Sequence, residues 1–198
     1  PQLQVVHVTD ESRNRTLIIK EKIARDASKQ LMSHAEWLMS LSLTLRFVEI
    51  HSDQHQSFSR ALELINKTNQ FNTTGRRWGV HEIRDWFNTG GFIIACLAHD
   101  KFSNHGLISA AIISQDTVLQ MVLSCRVFNL GIESAMLSKV TGVILNSGFT
   151  SVRALLNETG KNSSCVNFYH DYGFVKDCDS AWVGTLAADY PEWITIEE

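Results

Sequence analysis

The stretch SCRVFNLGIE, residues 124–133, concentrates residue types that do chemistry. Cys125 offers a thiol, and the thiolate is the form of cysteine that attacks acyl carbons; positive charge and a helix N-terminus beside it favour that form. The same residue also fits a small buried hydrophobe, the commoner fate of a free cysteine. Arg126, Asn129 and Gly131 fit an R-x-x-(G)-x-G loop in which asparagine replaces the first glycine, and asparagine tolerates the left-handed conformation better than most residues. A loop of this kind opening a helix aims backbone N–H groups at one point, where the helix dipole also favours an anion. An ordinary strand-to-helix turn satisfies the same residues.

Other chemistry-bearing residues lie on either side. Asn69, Gln70 and Asn72 flank Phe71 with three carboxamides in four positions, suited either to substrate hydroxyls or to helix capping and turn hydrogen bonds. Arg76 and Arg77 follow, able to pair with a carboxylate, a phosphate or an acidic protein surface, or to solvate a surface. His99 ends an apolar run beside Asp100 and can serve as a base near neutral pH or as a structural histidine.

Residues 11–41 carry near-helical apolar spacing, and LTLRFVEI (43–50) alternates as a strand does. A helix is expected over 53–71, turn chemistry over 72–78, and a short helix over 79–91 closed by glycines. Three apolar runs follow at 92–100, 107–114 and 117–125, the last two joined by Gln115-Asp116 as a hairpin. A helix over 132–148, a strand over 151–157, a short helix over 163–174 and a last strand over 180–187 complete the chain. Antiparallel strands first, then strands alternating with helices, is a mixed α/β pattern.

The chain has 198 residues, a net charge of −3 and 44% apolar residues. That suits one globular domain, divided here into a helical lead-in with its first strand (1–50) and a main domain (51–198). The charge argues against broad nucleic-acid binding. No apolar stretch approaches a membrane span, and no signal peptide leads the chain. Cys96, Cys125, Cys165 and Cys178 lack CxxC spacing, which predicts cytoplasmic thiols and no metal.

Two sets of motifs carry a resemblance. Asn162, Cys165, Phe168, Tyr169, Gly173 and Phe174 stand in the spacing N-x-x-C-x-x-F-Y-x-x-x-G-F. This resembles the closing motif of the GCN5-related N-acetyltransferase (GNAT) fold, whose R-x-x-G-x-G/A loop is a pyrophosphate cradle. The resemblance implies an α/β, GNAT-like fold with a mixed, mostly antiparallel sheet flanked by helices. It implies Tyr169 as the acid that protonates a departing thiolate, and Arg126, Asn129, Gly131 and Asn162 at the cofactor. Further, TNQFN-x-x-x-RR (68–77), D-x-F-S-x-x-G (100–106) and SCRV-x-x-x-G-x-E (124–133) resemble, in order, the second half of FkbH-like proteins, over residues 12 to about 186. Ser103 and Asn129 stand at two of that family's glycines. This second resemblance implies a glyceryl transferase of polyketide biosynthesis that works with the phosphopantetheine arm of an acyl carrier protein, a small acyl donor and a HAD-type phosphatase domain. It favours Asn69, Gln70 and Asn72 at the substrate, with Arg76 beside them; Cys125 from its place beside the loop, Tyr169 from the GNAT-like motif and His99 from its place at a strand end are the expected catalytic residues. The HAD half is expected to be absent, because the only D-x-D, Asp177-Cys178-Asp179, lies near the C-terminus in what reads as a surface loop. Two other functions stay open: a coenzyme A-dependent N-acetyltransferase, and a catalytically silent module that docks a carrier protein.

Overall fold

The computed structural model describes residues 32–185 and 189–197. Of the expected helical lead-in, α1 (His34–Ser40) is described, opened by a capping box in which Ser33 and Glu36 satisfy each other's end of the first turn; the remainder lies outside the described residues. The elements that follow are β1 (Leu43–Ile50), α2 (Phe58–Lys67), β2 (Phe71–Asn72), α3 (Val80–Asn88), β3 (Phe92–His99), β4 (Asn104–Ser114) and β5 (Thr117–Leu123). A 3-10 turn (Cys125–Val127) leads to α4 (Ile132–Asn146) and β6 (Val152–Leu155). A second 3-10 turn (Ser163–Cys165), α5 (Phe168–Asp171), β7 (Val175–Cys178), β8 (Ala181–Gly184) and β9 (Ile194–Glu197) complete the order.

These strands form one sheet in the order β7-β8-β6-β5-β4-β3-β1-β9, with β2 added on β5. The pairs β1–β9 and β5–β6 are parallel and the others antiparallel. The expected α/β architecture, a mixed and mostly antiparallel sheet flanked by helices, is therefore the observed one. Helices cover both faces. Ile94, Cys96, Ile108 and Met121 pack with α1 and α4 on one side; Ile93, Ala95, Ile112 and Val122 pack with α2 and α3 on the other. Burial on both faces is why β3 and β4 read as near-continuous apolar runs. No helix among the described residues is long and apolar enough to cross a membrane.

Several expected elements differ. The helix expected over 53–71 is confined to Phe58–Lys67, because Phe71 and Asn72 pair with Leu123 and Val122 as β2. The helix expected over 163–174 is a 3-10 turn and a single α turn. The Asp177-Cys178-Asp179 stretch is not a loop throughout: Val175–Cys178 is an edge strand, and Asp177 pairs with Arg153 at 2.7 Å. The strand expected over 180–187 runs Ala181–Gly184, with residues 186–188 outside the described ones, and it is not the last. β9 follows, beside β1, which lies inside the sheet between β3 and β9. Val175–Cys178 is exposed at every position and carries no alternation to read.

Candidate functional site

The site begins where the sheet opens. β6 pairs with β5 only at Thr117 and Val118, so the two strands part toward Leu123. The free edge of β5 is taken instead by residues 71–73: Phe71 and Asn72 pair with Leu123 and Val122, and Thr73 exchanges hydrogen bonds with Met121. This strand addition carries the preceding Thr68-Asn69-Gln70 alongside Ser124 and Cys125, 54 or more residues later in the chain.

A buried polar network holds the segment in place. Gln120, fully buried in β5, donates to Asn72 Oδ1 at 2.6 Å and to the Arg76 carbonyl at 3.0 Å, and accepts from Trp78 Nε1 at 2.6 Å. Asn66 exchanges two 2.8 Å bonds with the backbone of Trp78. Each interior polar atom named here has a partner, which is what makes such a network stabilising and directional.

Lys67 to Gln70 on one side and Leu123 to Cys125 on the other line a cleft of about 490 Å³. Cys125 is exposed there, not buried. The strand that was expected to reach it ends at Leu123: Ser124 still donates its N–H to the Ile108 carbonyl of β4, and the chain then leaves the sheet as Cys125 opens a 3-10 turn. Arg77 does not line the cleft but binds residues that do. Its guanidinium caps α2 through the carbonyls of Ile65 (3.2 Å) and Thr68 (2.9 Å) and grips the side-chain oxygen of Asn69.

The loop that follows has the conformation its residue types predict. Asn129 (φ 62°) and Gly131 (φ 80°) are both left-handed, and Gly131 is the N-cap of α4. Arg126 is exposed, and among the described residues its guanidinium hydrogen-bonds Ser124 Oγ at 3.2 Å and the His105 carbonyl at 3.5 Å, the second at the limit of a hydrogen bond. An exposed guanidinium and two left-handed residues thus stand at the start of a 15-residue helix. The other side of the loop is filled: Trp193 Nε1 donates to the Leu130 carbonyl at 2.9 Å, and a Cβ on Gly131 would come within 3.0 Å of the Trp193 ring.

Other expected site residues have different places. Asn72 is fully buried, its oxygen accepting from Thr74, Gly75 and Gln120 and its nitrogen donating to Thr68, so the interior and not a substrate engages it. Asn162 is likewise buried; it accepts from Thr159 and donates to the carbonyls of Asn72 and Asn157, tying β2 to the loop after β6. Arg76 is ion-paired with Glu82 and stacked 3.6 Å from the Trp78 ring centre, outside the cleft. Tyr169 is fully buried among Phe168 and Phe174. Its hydroxyl makes no hydrogen bond of ordinary geometry, and desolvation pushes the phenol far above its usual range despite the nearby Thr73 hydroxyl. A general acid must reach its proton acceptor, and this hydroxyl faces no cleft. His99 lines a separate cleft with Arg46, Asn104 and Glu197.

No protein-family model matches the chain, and no curated protein matches it. Solved structures do resemble it. A protein assigned as an acetyltransferase from Acinetobacter baylyi ADP1 is 16% identical, with 74% of this chain and 96% of that one covered at a TM-score of 0.49. The ribosomal-protein-S18-alanine N-acetyltransferase of Escherichia coli is 13% identical, with 69% and 90% covered at 0.46. A GNAT superfamily phosphinothricin acetyltransferase from Sinorhizobium meliloti, solved with AcCoA, is 18% identical, with 72% and 86% covered at 0.46. These are likenesses of fold.

Several residues of the site escaped the sequence reading. Lys67, Thr68 and Ser124 line the cleft but were not among the expected site residues, although Thr68 opens the TNQFN motif and Ser124 the SCRV motif. Gln120 did leave a signal, a lone amide inside the apolar run TVLQMVL. His105 is 3.1 Å from the buried Asp100 carboxylate and, through its carbonyl, touches Arg126. A second cleft of about 480 Å³ between α4 and α5 holds Glu133, Asn167 and Asp171, and burial raises the Glu133 carboxyl above the usual carboxylate range.

Proposed function

We propose that this chain is an acyltransferase domain that carries a small acyl unit through Cys125 to the phosphopantetheine thiol of an acyl carrier protein. The observation that supports the reading is one juxtaposition: an exposed thiol and the Asn69 and Gln70 carboxamides share a cleft next to the left-handed loop at Asn129 and Gly131 that opens α4. Glyceryl is the unit that the FkbH-like resemblance implies, with a HAD-type phosphatase domain as the partner that prepares it and the cytoplasm as the setting where such thiols stay reduced.

The Cys125 thiolate first takes the acyl group from a donor thioester, whose thiolate leaves, and the arm supplies the terminal thiol that accepts the group from Cys125. Arg126 and the amides opening α4 bind its phosphate, and Asn69 and Gln70 orient the acyl group. The arm's thiolate then attacks the acyl carbon of the Cys125 thioester, the bond from that carbon to the Cys125 sulfur breaks, and Cys125 departs as a thiolate. The β5 edge gives a reason to favour end-on entry: from Met121 to Leu123 it is already hydrogen-bonded to Phe71–Thr73, so an extended arm has no free edge to lie along. A coenzyme A-dependent N-acetyltransferase reading shares the phosphate loop and leaves Cys125 without a task.

Intact-mass measurement tests the proposal. Glyceryl and acetyl thioesters of N-acetylcysteamine, acetyl-coenzyme A and a phosphopantetheine-bearing carrier are offered to the chain and to Cys125→Ala. The expected result is an acyl adduct on the parent, absent from Cys125→Ala, that passes to the carrier. An unmodified parent that nonetheless acylates an amine supports the N-acetyltransferase instead.

A further inference from the structure

The side chain of Asn69 has a defined direction. A guanidinium only donates hydrogen bonds, so the Asn69 atom that Arg77 grips is the carbonyl oxygen. The Asn69 nitrogen, which has two N–H donors, is thereby turned to the other side of the carboxamide. Asn69 is exposed and lines the same cleft as Cys125. Arg77 cannot swing away cheaply, because the same guanidinium also caps α2 at Ile65 and Thr68. No other hydrogen bond engages the Asn69 side chain among the described residues.

We infer that Asn69 is an oxyanion donor for acyl transfer at Cys125, with Arg77 as the residue that positions it; this rests on Cys125 being the acyl acceptor. In the step concerned, the Cys125 thiolate forms a bond to the carbonyl carbon of the donor thioester. The C=O π pair moves onto oxygen, and that oxygen receives the Asn69 N–H. On collapse the pair returns, the bond from carbon to the donor sulfur breaks, and the donor leaves as a thiolate that takes a proton from water. No oxidant or reductant enters. A donor aimed where negative charge develops acts mainly on the transition state, because the ground-state carbonyl carries little charge. The TNQFN-x-x-x-RR spacing then has a physical reason: the second arginine orients the first asparagine and caps the helix that presents it.

The test uses glyceryl-N-acetylcysteamine as acyl donor and intact mass as the readout, with iodoacetamide alkylation of Cys125 measured in parallel. Asn69→Asp keeps an oxygen for Arg77 and replaces the donor by an acceptor; Asn69→Ala removes both. Each is expected to slow the maximal acylation rate by about a hundredfold, the lower end for loss of one oxyanion donor. Donor concentration at half-saturation should move little, and alkylation should stay within about twofold of the parent. Arg77→Lys is expected to give an intermediate loss of maximal rate. Acylation by either Asn69 variant at the parent rate overturns the assignment. So does alkylation that falls as far as acylation, since the effect would then lie on the thiol and not on the carbonyl oxygen. A parent chain that alkylates at Cys125 but never acylates there sinks the acyl-acceptor reading itself, and this assignment with it.

Discussion

Arg126→Ala is the sharpest probe of the phosphate loop. The side chain is exposed, and its guanidinium makes one ordinary hydrogen bond, to Ser124, and one marginal contact, to the His105 carbonyl. Removing it therefore costs the fold little, since surface substitutions mostly stay within about 0.5 kcal/mol. A charge-assisted bond to a phosphate is worth about 1.5–3 kcal/mol, and exposure favours the lower end. The expectation is about 1.5 kcal/mol, or roughly tenfold weaker binding of a carrier bearing its phosphopantetheine arm. Carrier lacking the arm should bind the variant and the parent alike. Titration calorimetry on both carrier forms measures the difference, and circular dichroism checks the fold. The gap between parent and variant should narrow as salt rises from about 0.1 M to about 1 M, where the screening length falls from about 10 Å to about 3 Å. Equal losses for both carrier forms would mean that Arg126 meets the protein surface and not the arm. No loss for either would remove the phosphate from this loop.

Three further outcomes follow from the interior. Asn162→Ala deletes three side-chain hydrogen bonds, so urea denaturation should show a loss of about 3 kcal/mol at about 1 kcal/mol per bond. Tyr169→Phe removes a buried hydroxyl that makes no hydrogen bond of ordinary geometry among the described residues; its melting temperature should equal or exceed the parent's and Cys125 acylation should be unchanged, whereas a tenfold slower reaction would restore Tyr169 as the acid. Burial pushes the Cys165 thiol up to about 11 and raises Cys96 and Tyr169 further. The folded chain thus keeps protons that the unfolded chain releases, so the stability these groups contribute is whole below the usual thiol pKa of about 8.5 and is lost as pH rises through about 11; denaturation at a series of alkaline pH values, parent against Cys165→Ala, should show a shallower loss in the variant.

Residue type and local spacing were enough to read the parts of this protein whose structure depends on their neighbours in sequence. β1, the β4–β5 hairpin at Gln115-Asp116, α4, and the left-handed bends at Asn129 and Gly131 follow from periodicity and turn chemistry, because those are short-range forces. The grouping of Cys125 with Asn69 and Gln70 belongs to another level. It depends on β6 leaving β5 after Val118 and on residues 71–73 filling the gap, a pairing between segments about 50 residues apart that no local pattern encodes. The same long-range packing separates residues that looked alike in sequence. Asn69 and Asn72 are both carboxamides in one motif, yet Asn72 faces Gln120 in the interior and is engaged there, while Asn69 lies beyond the end of α2, where Arg77 takes its oxygen. Tyr169 and His99 had the right chemistry for catalysis; burial on one face of the sheet encloses the first, and strand order carries the second to another cleft. Which polar group meets solvent and which is consumed by the fold is a matter of three-dimensional partners, and those are chosen by packing across the sheet.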